Sequence, residues 1–144
     1  MSRTLGIVIP LRAKSTANDW GVVCAALERT LDSLEGQLDR RFKAVIVGTD
    51  RPDLPNRCFA IAPFKVATCV PDGEPICAPN LASSRFEIRQ KRITLDKNRK
   101  ILQGMHFLAS QGVTHWFALD ADDLLHESFV GTILGLCDRY GAVI

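Results

Sequence analysis

Residues 114–123 read T-H-W-F-A-L-D-A-D-D, and the fold follows from how they are read. A run of bulky apolar residues ends in three carboxylates, Asp120, Asp122 and Asp123, within four positions. The apolar part, 113–119, is too short for a helix and rich in the residue types of a buried strand. The carboxylates therefore fall at the carboxyl end of a strand. In an extended segment Asp120 and Asp122 point to the same side. Carboxylates crowded in this way repel one another unless a cation intervenes. An all-oxygen set favours a hard divalent ion such as Mg²⁺, Mn²⁺ or Ca²⁺, and few carboxylates with open positions suit an ion that also holds phosphates. The alternative is a helix N-cap, since Asp122 or Asp123 is well placed to start the next helix.

Outward from this stretch, strands and helices alternate. L-G-I-V-I-P-L (5–11) reads as a buried strand stopped by Pro10. Ser15, Asn18 and Asp19 are candidate caps for an amphipathic helix of about five turns, with apolar residues from Trp20 to Leu38 and Gly36 near its end. Residues 42–48 form a second strand, parallel to the first, and 64–70 a shorter third. Pro71, Gly73, Pro75 and Pro79 exclude regular structure, and 71–92 reads as an irregular stretch with a polar, basic second half. A helix is predicted from an Asp96 N-cap to Gly112, a further helix over 127–140, and the first residues of another strand at 142–144. The pattern predicts an α/β three-layer sandwich with a mainly parallel sheet. Ligands of such sheets bind outside the carboxyl ends of the strands, which draws attention to 10–14, 48–53 and 120–123.

The 144 residues suit one domain, with no repeat or linker. At 47% apolar and 24% charged, the chain can bury a core. A net charge of +2 argues against a dedicated nucleic-acid binder. No apolar run approaches the roughly 20 residues of a membrane helix, and the N-terminus lacks a signal-peptide core, so the chain reads as cytoplasmic. The five cysteines are odd in number and contain no C-x-x-C, which disfavours a disulfide framework or a structural zinc site. Of the histidines, His106 and His115 read as structural or surface residues, and His126 lies near enough to the carboxylates to face them.

F-A-L-D-A-D-D-L-L resembles the D-x-D region of nucleotide-sugar glycosyltransferases of the GT-A fold, especially glycosyltransferase family 2. G-I-V-I-P-L-R resembles that family's first strand, A-V-I-V-G-T-D its second, and L-D-K-N-R-K-I-L-Q-G-M the helix before the motif strand. The match in order and spacing covers most of 5–144. It implies a nucleoside-diphosphate-sugar donor and a divalent metal, Mn²⁺ or Mg²⁺. Asp122 would be the main metal ligand, Asp120 would lie by the ribose or the metal, and Asp123 would assist. Asp50 would sit near the base. Pro10, Leu11 and Arg12 would line the nucleotide pocket. Lys97, Asn98 and Arg99 fall where the family has an Arg-Asn pair facing the donor, and the letters here are K-N-R. Asp50 also has a simpler reading as a turn residue. Lys97, Arg99 and Lys100 can equally be a solvated first turn, although cations at a helix N-terminus oppose the dipole and so favour an anionic partner.

The family's acceptor site and catalytic base follow the D-x-D, and no residue of 1–144 is assigned to them. The chain thus reads as a donor-binding part, incomplete at its C-terminus, with little transferase activity expected of it alone. The acceptor remains unknown. The main alternative is a non-catalytic nucleotide- or metal-binding module. A haloacid-dehalogenase-like phosphatase fits less well, because its D-x-D sits on the first strand. A sugar nucleotidylyltransferase lacks its glycine-rich loop here.

Overall fold

The computed structural model describes residues 2–54, 61–68, 77–82 and 85–140. Among these residues, four strands and three α-helices follow one another as β1 (Leu5–Pro10), α1 (Trp20–Glu35), β2 (Phe42–Gly48), β3 (Phe64–Val66), α2 (Phe86–Ala109), β4 (His115–Ala118) and α3 (Phe129–Leu136). The strands form one parallel sheet in the order β3-β2-β1-β4. Period-two alternation sorts its side chains between two cores. Leu5, Ile7, Ile9, Ala44 and Ile46 pack with Leu27, Leu31 and Leu34 of α1 and Val130 and Leu134 of α3. Val8, Val45 and Val47 pack on the opposite face with Leu108 of α2. The α/β three-layer arrangement expected from the alternating pattern is present.

Local chemistry explains most boundaries. Asp19 caps α1, its carboxylate accepting from Val22 N at 3.2 Å, and the helix ends at Gly36. α2 lies close on the sheet because Gly104 carries no side chain. A Cβ there would sit 2.3 Å from Val8 Cγ1 and 3.2 Å from Val47 Cγ2. Gly112, with φ 76°, turns the chain back toward β4.

Several boundaries differ from the sequence reading. α2 begins at Phe86, not at an Asp96 cap, so Asp96 is a mid-helix residue. Residues 86–92 are exposed all round the helix and therefore carry no apolar stripe. The dipole argument for Lys97, Arg99 and Lys100 lapses with the boundary, since all three lie well past the first turn. α3 is shorter than 127–140, spanning Phe129–Leu136. Asp120–Asp123 is a turn closed by Asp123 N donating to Asp120 O at 3.1 Å, not an extended continuation of β4. The predicted strand 64–70 is shorter, β3 ending at Val66, and its residues 69–70, the expected strand at 142–144 and positions 71–76, 83 and 84 of the expected irregular stretch lie outside the described residues. No helix among the described residues is long and apolar enough to cross a membrane.

Candidate functional site

The chain builds β1, β2 and β3 in one direction across the sheet, then crosses to place β4 on the other side of β1. Between β1 and β4 the strand order reverses, and such reversals open a crevice at the carboxyl ends of the strands. Pro10 sharpens the opening. Leu11 N donates to Val47 O of β2 at 2.8 Å. By alternation the neighbouring position faces β4, and there proline has no N–H to offer. The β1–β4 register accordingly stops at Val8↔Ala118, while β1–β2 continues to Pro10↔Val47.

A cleft of about 510 Å³ lies at this point. Its α1 wall is apolar, formed by Val22, Val23 and Ala26. Its α2 wall is mostly polar, with Gln90, Asp96, Lys97 and Lys100 joined by Ile93 at helical spacing along one face. Pro10, Leu11 and Arg12 enter from the end of β1, and Asp120 and Asp122 from the turn after β4. One apolar wall and one charged wall suit a ligand with a flat apolar part and an anionic part.

The charged groups are largely paired. Lys97 Nζ lies 2.6 Å from Asp120 Oδ1, both side chains being partly exposed. Lys100 is 1% exposed and donates to Leu11 O at 2.8 Å and to Asp96 Oδ2 at 2.7 Å. Arg12 and Asp122 stand outside these two pairs, with Arg12 Nε donating to Thr16 Oγ1 at 3.4 Å. The cleft thus holds three cations, Arg12, Lys97 and Lys100, against three carboxylates, Asp96, Asp120 and Asp122, and carries no net charge of its own.

Of the residues singled out from the sequence, Pro10, Leu11, Arg12, Lys97, Asp120 and Asp122 come together on this cleft. The others do not line it. Asp123 is exposed. Asp50 accepts from Lys14 N at 2.8 Å and so ties the end of β2 to the loop after β1. Asn98 is exposed and Arg99 half-buried on other sides of α2. His126 turns to Ser128, its Nδ1 at 2.9 Å from Oγ.

The sequence reading takes Asp96 only as a helix cap and Lys100 only as one of three basic residues after it, although their i, i+4 spacing is a recognisable ion-pair signal on a helix. A second set could not be read locally at all. Thr30, Ser33 and Gln37, on one side of α1 and just past its end, hold the segment after the carboxylates. Thr30 Oγ1 donates to Ala121 O at 3.0 Å, and Ser33 Oγ accepts from Leu125 N at 3.2 Å. Gln37 donates to His126 O at 2.7 Å and accepts from Val130 N at 3.1 Å, supplying the cap that Ser128 does not give α3.

Among the described residues no three of His, Cys, Asp or Glu converge as a metal cage. Two carboxylates on one cleft nonetheless fit Mg²⁺ or Mn²⁺, which commonly take one or two protein carboxylates and complete their shell with water and substrate phosphate. No protein-family model matches the chain, and no curated protein matches it.

Proposed function

We propose that this cleft binds the nucleoside-diphosphate sugar of a glycosyl transfer, with Asp120 and Asp122 as the carboxylates that would hold a divalent ion. The observation that carries the reading is the charge balance at the strand reversal. A nucleoside diphosphate brings two phosphates into a cleft whose three cations are matched by three carboxylates. Asp122 and Asp120 would hold a divalent ion, which would supply the missing positive charge and Lewis-acid stabilisation of a leaving diphosphate. The apolar wall of Val22, Val23 and Ala26 would take the base. Lys97 reaches the cleft from a partly exposed position, and its flexible stem would let the ammonium serve a phosphate as well as Asp120. Arg12, which also lines the cleft, offers a fork of donors.

The test is the melting temperature of the chain with UDP or GDP, with and without Mn²⁺, for wild type and Asp122→Ala. A ligand that binds only the native state at about 100 times its Kd adds about 2.7 kcal/mol of stability, which raises the melting temperature by several degrees. The expected result is a rise that requires Mn²⁺ and disappears in Asp122→Ala. No rise at saturating nucleotide would rule the reading out.

A further inference from the structure

Lys100 is among the largest fully buried side chains of the protein, and it lies at the floor of the cleft. A buried ion pair is a poor source of stability, since well-packed apolar residues of similar volume often serve as well or better. This one is also incompletely satisfied, because Asp96 Oδ1 is buried without a hydrogen-bond partner. What the pair does achieve is specific. Leu11 is 0% exposed, and its carbonyl, just past Pro10 at the end of β1, is a buried acceptor that needs a donor. Lys100 Nζ supplies it, and Asp96 holds the ammonium from the other side. That peptide continues into Arg12, whose side chain lines the cleft.

We propose that Asp96 and Lys100 are positioning residues: a buried clamp from α2 that fixes the Leu11–Arg12 peptide and so preorganises the cleft for a nucleoside diphosphate. The inference rests on the donor-site reading above and adds a mechanism to it. Preorganisation reduces the ordering cost of binding, so its loss appears in affinity. Lys97, one turn earlier on the same face, is the movable cation of the pair of lysines; Lys100 is the fixed one.

The experiment uses the double variant Asp96→Leu/Lys100→Met, which removes both charges and leaves neither buried alone. A core variant, Val113→Ala, serves as a control for general loss of stability, since Val113 packs under α2 away from the cleft. Affinity for UDP and GDP with Mn²⁺ is measured by calorimetry well below the melting temperatures of all three proteins. The double variant is expected to fold and to bind about tenfold more weakly than wild type. Val113→Ala is expected to melt earlier and bind normally. The amide nitrogen of Arg12 shares its peptide with the Leu11 carbonyl, so its ¹⁵N resonance should move in the double variant and stay in place in Val113→Ala. Wild-type affinity in the double variant, or an unmoved Arg12 resonance, would overturn the clamp and leave the donor site standing. A wild-type protein that binds neither nucleotide would remove both. Should the double variant fail to fold, Lys100→Arg decides. It retains a charge and donors in a different geometry, so the clamp requires weakened binding and a shifted Arg12 resonance, and unchanged binding contradicts it.

Discussion

Gln37 shows how much of the site depends on single polar residues remote in sequence. It is 3% exposed and meets the segment after the carboxylates through both ends of its amide, at His126 and Val130. Replacement by leucine keeps the volume and strands a part-buried carbonyl and a buried helix N–H. Each such loss costs about 1–3 kcal/mol, so Gln37→Leu is expected to lower the urea midpoint by an amount equivalent to at least one of them. An unchanged midpoint would show that water replaces the amide without cost. In the sequence, Thr30, Ser33 and Gln37 are only polar letters in or after an amphipathic helix. Their partners lie about ninety positions away, as the separations of 91, 92 and 93 residues show, so no local pattern exposes them. Asp120 and Asp122 were legible for the opposite reason: three acidic letters at the end of an apolar run contrast with everything before them.

At the scale of elements, β1, α1 and β2 were readable because their burial and their period agree. Every residue of β1 is buried, and α1 places Cys24, Leu27, Leu31 and Leu34 inward at helical spacing. α2 obeys a different logic. Its second half packs on the sheet through Lys100, Gly104 and Leu108, while residues 86–92 are exposed. Only its intrinsic propensity, from Glu, Arg, Gln and Lys, signals that first part, and propensity is a weak guide beside periodicity. Moving its start to Phe86 changes the meaning of the basic residues. Lys97 and Lys100 become side chains on the face of a helix that walls the cleft. The closeness of that wall depends on Gly104. Gly104→Ala, which would be neutral or stabilising at an exposed helical position, is expected here to cost about 1–3 kcal/mol through overpacking against Val8. Denaturant unfolding measures it directly, and a stabilised variant would contradict the packing described.

For the whole molecule, the alternating strand–helix pattern specified an α/β layered fold but not which strands would be neighbours. The order β3-β2-β1-β4 is the decisive addition, because it places the ends of β1 and β4 side by side and gives residues 110 positions apart, Pro10 and Asp120, a common cleft. Asp50 and Asp123, which the letters alone grouped with the site, do not line that cleft. The measurement that bears most directly on the central claim is therefore one that locates binding. Titration of ¹⁵N-labelled protein with UDP or GDP in the presence of Mg²⁺ should shift the amides of Arg12, Thr16, Lys97 and Ala121. Those of Gly131 and Gly135, at the other end of the sheet beside Arg3 and Asp138, should stay in place. Shifts confined to that opposite end, or none with either nucleotide at saturation, would contradict the account.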